Sequence, residues 1–222
     1  MKNIIVAIDG PGGVGKSTVS FKIAEIFNFM LIDTGAMYRS VALFALKKGI
    51  DFNGDEILKI AENMEFSFKQ EKNKNLVFVN GEELTSLIRT AEISMSASKV
   101  AKNGDLRKIL VEKQRKLADK NSVVIEGRDI GSVVFPNADV KFYLTASSEI
   151  RAERRYKELK EKGVEITYDE VLKDIQKRDY NDMNRKESPL VKPDDAIVID
   201  TGNMTIDEVV NEMKNIIKKK LV

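Results

Sequence analysis

Lys16 and Ser17 lie in a glycine-rich segment, GPGGVGKST, which fits the pattern G-x-x-x-x-G-K-[ST] at each constrained position. Glycines let the backbone wrap closely around a phosphate, and a helix that begins there directs its positive end at the anion. The Lys16 ammonium can reach the β- and γ-phosphates of a nucleotide, and the Ser17 hydroxyl can coordinate a bridging Mg²⁺. The alternative, a flexible glycine-rich turn, would match the whole pattern only rarely. The predicted phosphate-binding loop comprises Gly10, Pro11, Gly12, Gly13, Val14, Gly15, Lys16, Ser17 and Thr18.

The composition limits which side chains can carry catalysis. The 222 residues include no His and no Cys, which removes the usual general base, a disulfide framework and thiolate metal ligands. Catalysis must therefore rest on Lys, Arg, Asp, Glu and the backbone, and phosphoryl transfer needs little else. A net charge of +2 gives no reason to expect a nucleic-acid or membrane partner. Without an apolar stretch of membrane-spanning length or a signal peptide, a cytoplasmic location is expected.

The elements around the loop come in the order that phosphate binding requires. Ile4 to Ile8 form a β-branched apolar run, typical of a strand buried on both faces of a parallel sheet. The run ends at Asp9, and apolar residues at helical spacing predict a helix from Lys16 to about Asn28. Strand, glycine loop and helix are therefore predicted in sequence.

Four further apolar runs predict the other strands of the same sheet. They are Phe29–Ile32, Val123–Ile125, Val140–Leu144 and Ala196–Ile199. Helical patterns separate them, including Thr85–Asn103 and Asp105–Lys120. Strands that alternate with helices form parallel sheets covered on both faces. The predicted class is therefore α/β, with a five-stranded parallel sheet in one domain over residues 1–222, although two small domains would also suit this length.

Polar residues follow two of these strands, at the sheet edge where ligands of α/β proteins bind. Thr34 and Arg39 come after the second strand, and Arg39 could hold a ligand or be an exposed helix charge. Arg128 and Asp129 come after the third strand, where an arginine beside a phosphate cradle favours a phosphate clamp over a salt-bridged turn. Glu126, at the same strand end, could support Mg²⁺ through water or have a structural role.

One insertion interrupts the alternation of strands and helices. Residues 51–83 predict a short helix and a small antiparallel sheet, with strands at Glu65–Phe68 and Leu76–Val79. A polar turn is predicted at Glu71–Asn75, and Asn80-Gly81 is typical of a further tight turn. The insert is either a substrate-binding flap or a decoration of the fold.

A second unusual segment, between Arg151 and Lys186, is helical but poor in apolar residues. Gly163 ends its first helix, and Thr167 with Glu170 has the capping-box spacing that opens another. Such a hairpin buries little and is expected to be mobile, and a mobile arginine-rich segment over a phosphate site is typical of a lid. A solvated helix face is the ordinary alternative. The predicted lid arginines are Arg151, Arg154 and Arg155.

Four blocks of this sequence resemble those of the bacterial cytidylate kinases, which are P-loop nucleoside monophosphate kinases. They are the loop at Gly10–Thr18, DTGAMYR at Asp33–Arg39, EGRDIGSVVFPNADVKFYL at Glu126–Leu144 and RDYNDMNR at Arg178–Arg185. The resemblance covers nearly the whole chain, and GRDIG-x-VVFP is far more specific than the P-loop alone. It implies a monophosphate-binding insert at about residues 35–100 and a lid at about residues 151–187.

The resemblance also implies roles for individual residues. Those implied for the CMP phosphate are Arg39, Arg128 and Arg185, and those implied for the cytosine ring are Ser98, Arg107 and Asp129. Arg178 and Asp182 are implied for the sugar hydroxyls, and Thr34 for a position beside the acceptor. The residues expected to be catalytic are Lys16, Arg128, Arg178 and Arg185, with Ser17 as the Mg²⁺ ligand.

The activity implied by the resemblance is Mg²⁺-dependent transfer of a phosphoryl group from ATP to CMP or dCMP, giving ADP and CDP or dCDP, in pyrimidine nucleotide metabolism. The expected partners are these small molecules, with a monomeric protein and no nucleic acid or membrane. A GTPase-like switch would need a guanine-reading N-K-x-D segment, and the near match Asn73-Lys74-Asn75-Leu76 lacks the Asp. Within the kinases, UMP, AMP or shikimate remain rival acceptors.

Overall fold

A computed structural model describes residues 3–72 and 74–221 of the chain. Its strands are β1 (Ile5–Asp9), β2 (Met30–Asp33), β3 (Phe66–Glu71), β4 (Lys74–Val79), β5 (Glu82–Glu83), β6 (Val123–Glu126), β7 (Val140–Thr145) and β8 (Ile197–Asp200). Five of them form a parallel sheet in the order β2-β6-β1-β7-β8, so the first strand of the chain lies at the centre. The predicted five-stranded parallel sheet is thereby confirmed.

The helices are α1 (Lys16–Phe27), α2 (Thr34–Lys48), α3 (Asp55–Glu62), α4 (Ala91–Val100), α5 (Gly104–Ala118), α6 (Ser148–Glu161), α7 (Tyr168–Asn184) and α8 (Ile206–Leu221). The helical region predicted at Thr85–Asn103 is divided into a 3₁₀ turn at Leu87–Arg89 and α4. The division falls at Thr90, whose extended backbone and side-chain bond to the Ile93 N–H cap a new helix. Within the described residues, no helix is both long and apolar enough to cross a membrane.

Helices cover both faces of the parallel sheet because successive residues of its strands point to opposite sides. On β1, Val6 and Ile8 belong to one buried cluster, together with apolar residues of α1 and α8. Ala7 belongs to the other cluster, with residues of α2, α4, α5 and the insert. The sheet is therefore buried on both faces, and polar side chains collect at its carboxyl edge.

The insert contains a second sheet, with antiparallel strands in the order β3-β4-β5. Its first two strands are longer than predicted, because Glu71 pairs with Lys74 and leaves a shorter turn than the predicted Glu71–Asn75. Asn73, which falls within the predicted turn and begins the near match to a guanine-reading segment, lies outside the described residues. The tight turn at Asn80-Gly81 is confirmed by positive φ angles of 51° and 82°.

Helices α6 and α7 form the predicted helical hairpin. Ala152 and Val171 are its buried apolar residues within these two helices, so the prediction that the hairpin buries little is confirmed. The capping box at Thr167 and Glu170 is present, with both reciprocal hydrogen bonds formed. The mobility of the hairpin stays a prediction.

Candidate active site

The predicted phosphate-binding loop lies where β1 passes into α1. Gly10, Gly13 and Gly15 have positive φ angles of 145°, 83° and 90°, a region of backbone conformation that favours glycine. A Cβ atom at Gly10 would lie 2.1 Å from the carbonyl oxygen of Leu144, so a side chain there would collide with β7. Because α1 begins at Lys16, its free N–H groups and positive end face the loop. The predicted order of strand, loop and helix is confirmed.

The Lys16 ammonium is buried inside this loop. Its Nζ donates to the carbonyl oxygens of Gly10, at 2.8 Å, and Pro11, at 2.6 Å. Burial, followed by repulsion from the Arg128 guanidinium, lowers the pKa of Lys16 from 10.5 to about 7. An ammonium has three donors, so one remains for a phosphate oxygen.

Glu126, at the end of β6, lines the same pocket as Ser17, at the start of α1. The pKa of Glu126 is raised from 4.5 to about 7. Burial is the main cause and repulsion from Asp33 adds to it, while Lys16 and Ser17 act in the opposite direction. Ser17, Asp33 and Glu126 line the same cavity. Three oxygen-bearing side chains therefore gather next to the phosphate-binding loop.

This cavity, of about 240 Å³, opens at the carboxyl edge of the sheet, in front of Lys16. It is lined from the phosphate-binding loop and from α2, α4, α5, α7 and the segment after β6. The residues that the resemblance implies for CMP all line it: Thr34, Arg39, Ser98, Arg107, Arg128, Asp129, Arg178, Asp182 and Arg185. The fold thus brings together residues that are up to about 150 positions apart in the chain.

Two arginines of the cavity are held by carboxylates from different parts of the chain. Arg39 Nη2 lies 2.9 Å from Asp33 Oδ2. Arg128 Nε lies 2.9 Å from Asp182 Oδ2, on α7, rather than pairing with its neighbour Asp129. Arg39 therefore faces the cavity, which decides against the alternative of an exposed helix charge. A Cβ atom at Gly12 would lie 3.6 Å from Arg128 Nη2, so this arginine also borders the phosphate-binding loop.

A denser charged cluster surrounds Asp129. Its Oδ2 lies 2.5 Å from Arg107 Nη2, and its Oδ1 lies 3.5 Å from Arg185 Nη2. The Arg107 guanidinium lies over the ring of Tyr38, 5.3 Å from its centroid. Burial raises the pKa of Tyr38 from 10 to about 12, so its hydroxyl is neutral at pH 7. One carboxylate acceptor thus lies beside two guanidinium donors.

The other implied residues make local contacts. The Thr34 hydroxyl donates to the carbonyl oxygen of Glu126 at 2.7 Å, which ties the start of α2 to the end of β6. The Ser98 hydroxyl makes only a long contact of 3.5 Å to the Ser94 carbonyl. Arg178 pairs with Asp174 one turn earlier on α7, at 2.7 Å. Of these three side chains, Ser98 therefore has the weakest hydrogen bond within the protein.

The three predicted lid arginines are not brought together at the cavity. Arg151 is buried and binds both carboxylate oxygens of Asp179 on α7, and its Nη1 also donates to the Gly12 carbonyl at 3.1 Å. Arg154 donates to the carbonyl oxygen of Thr201 at 2.6 Å, and Arg155 pairs with Glu158 at 2.8 Å. Arg155 therefore lies on a solvated helix face, the alternative to a lid role, whereas Arg151 links the hairpin to the phosphate-binding loop.

Sequence reasoning missed several carboxylates that hold these arginines. Asp33 lies inside the DTGAMYR block and Asp179 inside RDYNDMNR, so both blocks pointed to the right segments. Asp33 ends β2 and caps α2, which carries its partner Arg39, whereas Asp179 is on α7 and its partner Arg151 is on α6. No spacing rule identifies the second kind of pair, because its members meet only when two helices pack.

A phosphate-binding loop on this parallel sheet, with an arginine-lined cavity in front of it, defines the class of P-loop kinases. Two solved structures share the fold over 97% of this chain. A shikimate kinase from Bacteroides thetaiotaomicron has a TM-score of 0.50 at 11% identity, with 98% of that chain covered. An uncharacterized protein from Eubacterium ventriosum has a TM-score of 0.52 at 17% identity, with 99% of that chain covered. At these identities the likeness concerns the fold alone.

Sequence comparison is more specific than the fold. The family model for cytidylate kinase matches residues 6–219. A cytidylate kinase from Clostridioides difficile is 50% identical over 214 residues, which cover 96% of this chain and 97% of that relative. One from Fusobacterium nucleatum is 50% identical over 220 residues, which cover 99% of each chain. The chain belongs to the cytidylate kinase family, as the four sequence blocks predicted.

Proposed function

We propose that this enzyme transfers the γ-phosphoryl group of ATP to CMP or dCMP, giving ADP and CDP or dCDP, in pyrimidine nucleotide metabolism. Membership of the cytidylate kinase family supports the acceptor. The observation that carries the proposal is that one cavity joins Lys16 of the phosphate-binding loop to Arg39, Arg128 and Asp129. The proposed donor site and the proposed acceptor site are thus adjacent.

In the proposed reaction, an oxygen of the CMP phosphate attacks the γ-phosphorus of ATP, and the bond to the β-phosphate oxygen breaks. The attacking oxygen is already anionic near neutral pH, since a phosphate monoester has a second pKa of about 6. No general base is then needed, which agrees with a chain that contains no His. Catalysis rests on alignment and on neutralisation of the charge on the transferred group.

Different cations of the site are assigned to the two substrates. We assign the ATP phosphates to the backbone N–H groups of residues 10–18 and to the Lys16 ammonium. Arg39 and Arg128 take the CMP phosphate when it replaces the carboxylates that now hold them, and Arg185 contributes from the end of α7. Two anions cannot approach each other closely without such cations between them.

The base and the sugar are assigned to the remainder of the cavity. Asp129 accepts from the exocyclic amino group of cytosine, while Arg107 and Ser98 donate to its ring carbonyl and N3. Arg178 and Asp182 hold the sugar hydroxyls, and Thr34 lies beside the acceptor. CMP would thus bind with its phosphate towards Lys16 and its base towards Asp129.

Mg²⁺ fits the oxygen donors beside the phosphate-binding loop. In the part of the chain that the structure describes, no group of three or more His, Cys, Asp or Glu side chains could hold a metal ion alone. Mg²⁺ commonly takes only one or two protein ligands and completes its shell with phosphate oxygens and water. Ser17, with Glu126 and Asp33 through water, would hold it, and the bound ion would neutralise phosphate charge.

We further propose that residues 1–222 act as one catalytic domain and as a monomer. The insert at about residues 35–100 carries the α2 and α4 side of the cavity, and the lid at about residues 151–187 carries its α7 side. The substrates are small molecules, and no role is assigned to a nucleic acid.

The test is a coupled assay of ADP release with ATP and a panel of acceptors: CMP, dCMP, UMP, AMP and shikimate. We expect CMP and dCMP to be the best substrates, and turnover to stop when EDTA removes Mg²⁺ and to return when Mg²⁺ is added back. A higher kcat/KM for UMP, AMP or shikimate than for CMP would refute the assigned acceptor. Full activity in EDTA would refute the assigned metal.

A further inference from the structure

We propose that Asp9 is a positioning residue for the acceptor site, whose carboxylate holds the segment that carries Arg128 and Asp129 against the central strand. This inference rests on the proposed function, because it takes Arg128 and Asp129 to bind CMP. Neither the sequence pattern nor the resemblance assigned a role to Asp9.

The first observation is the pair of hydrogen bonds that Asp9 makes. Asp9 ends β1, and only 2% of the residue is exposed. Its Oδ1 accepts from the backbone N–H of Ile130 at 2.8 Å, and its Oδ2 accepts from the N–H of Gly131 at 2.7 Å. These two residues begin a π-helical turn directly after Asp129. Each carboxylate oxygen therefore holds one N–H of the segment.

The second observation is that the same segment is held at its other end. The N–H of Gly127 donates to the carbonyl oxygen of Ile8, the residue before Asp9, at 3.0 Å. Arg128 and Asp129 lie between these two attachments. The dipeptide that faces CMP is thus fixed to β1 on both sides, by a backbone carbonyl before it and by the Asp9 carboxylate after it. Since the phosphate-binding loop begins at Gly10, one strand end sets the distance between the two substrate sites.

The third observation is the close packing around the carboxylate. A Cβ atom at Gly131 would lie 3.4 Å from Asp9 Oδ2 and 3.1 Å from Lys141 Cδ, so the turn rests directly on Asp9 and β7. Burying a carboxylate is costly unless hydrogen bonds compensate. An asparagine would fill the same space but has one acceptor oxygen, and its amide would set a donor against the second N–H. Only a carboxylate satisfies both groups in this space.

The test compares Asp9→Asn with a matched change at the opposite end of the same strand. Asp139 Oδ2 accepts the backbone N–H of Ile5 at 2.9 Å, so Asp139→Asn alters a carboxylate that also holds a backbone N–H at β1, but far from the cavity. For Asp9→Asn we expect the KM for CMP to rise about tenfold or more, while the KM for ATP changes less than about twofold. For Asp139→Asn we expect both KM values to match those of the wild type.

A purely structural role would give a different result. Partial unfolding lowers the fraction of active enzyme, which reduces kcat and leaves both KM values unchanged. That result, or an equal rise of both KM values, would overturn the proposal. Gly131→Ala, whose added methyl group would lie 3.1 Å from Lys141 Cδ and 3.4 Å from Asp9 Oδ2 and so crowd the turn where it meets Asp9 and β7, gives a second route if Asp9→Asn does not fold. We expect it to raise the KM for CMP selectively, and an unchanged KM would overturn the proposal in that case.

The same experiment separates this inference from the proposed function. If the proposed function fails, the wild type itself shows no preference for CMP. If only the role of Asp9 fails, the wild type phosphorylates CMP normally and the variants show no selective change in its KM.

Discussion

At the scale of single residues, two arginines of the cavity are each held by a carboxylate. Arg39 pairs with Asp33 and Arg128 with Asp182, and in both pairs the side chains are partly exposed to the cavity. In the proposed function, a phosphate that binds to these arginines would exchange one anion for another, so the guanidinium groups would not have to be ordered at that moment. Such preorganisation lowers the cost of binding and favours electrostatic stabilisation of the transferred group.

Lys16 is the residue that we propose neutralises charge on the ATP phosphates. We expect Lys16→Ala to fold but to lower kcat by at least about a hundredfold, or about 2.7 kcal/mol, since the ammonium stabilises charge on the γ-phosphoryl group. The measurement is kcat with saturating ATP and CMP, together with Tm. Lys22→Ala is the matched control, because Lys22 lies on the same helix and pairs with Asp207 at the surface. Near-normal turnover of Lys16→Ala would contradict the assignment of the loop.

Asp129 is the residue that should set the choice of base. Uracil would present a carbonyl oxygen where cytosine presents its amino group, which sets acceptor against acceptor in a buried site. We therefore expect the wild type to prefer CMP and dCMP over UMP, and Asp129→Asn to narrow that preference, because an amide can donate. The measurement is kcat/KM for the three acceptors.

The control for this change is Asp195→Asn, since Asp195 pairs with Lys141 and does not line the cavity. It should leave the order of acceptors unchanged. If the wild type has the same kcat/KM for UMP as for CMP, or if Asp129→Asn lowers kcat/KM equally for all three acceptors, Asp129 does not recognise the base.

At the scale of secondary-structure elements, the pair Arg151–Asp179 joins α6, α7 and the phosphate-binding loop. The two side chains are only 5% and 15% exposed, and Arg151 also donates to the Gly12 carbonyl. The hairpin otherwise buries few apolar side chains, so polar contacts such as this ion pair attach it to the rest of the protein. A change at one helix should therefore affect both the hairpin and the loop.

We expect Asp179→Ala to reduce the free energy of unfolding by about 3–5 kcal/mol, because it leaves Arg151 buried without its carboxylate. The KM for ATP should also rise, since the guanidinium that contacts Gly12 loses its orientation. Thermal unfolding and ATP titration measure the two effects. Glu153→Ala serves as the control within α6, because the pair Glu153–Lys157 is largely exposed and should contribute little. Equal Tm values for the two variants would contradict the prediction.

At the scale of the whole molecule, the free energy of unfolding should depend on pH through the titration of Asp9, at the end of the central strand β1. The pKa of Asp9 is raised from 3.8 to about 6, chiefly by burial and to a smaller extent by repulsion from Asp129. The N–H groups of Gly131 and Ile130, and the Lys16 ammonium, lower this pKa and so oppose the rise. Between these two pKa values the folded state binds the proton more tightly than the unfolded state. The stabilising contribution of protonated Asp9 is therefore complete below about pH 4 and is lost as pH rises through 6.

We expect the stability of the wild type, relative to Asp9→Asn, to fall between about pH 4 and pH 7. Urea denaturation of both proteins across this range measures the difference, and the comparison cancels the titration of Glu126, whose pKa shift does not involve Asp9. A difference that stays constant with pH would show that Asp9 keeps an ordinary pKa in the folded protein.

The sequence alone determined the parts of this protein that depend on local chemistry. Gly10, Gly13 and Gly15 have positive φ angles that favour glycine, so the phosphate-binding loop could be recognised from residue types and spacing. β-branched runs and helical periodicity likewise placed the five parallel strands and the main helices. The positions that line the cavity were implied by family resemblance, and their roles remain proposals.

Tertiary structure decided which charges meet. The contact from Asp9 to Ile130 spans 121 positions, and that from Arg151 to Asp179 joins two helices. Periodicity shows which face of an element is apolar, but it does not show which carboxylate will reach which donor. That choice depends on strand order, helix packing and side-chain rotamers, which is why three neighbouring lid arginines ended with three unrelated partners.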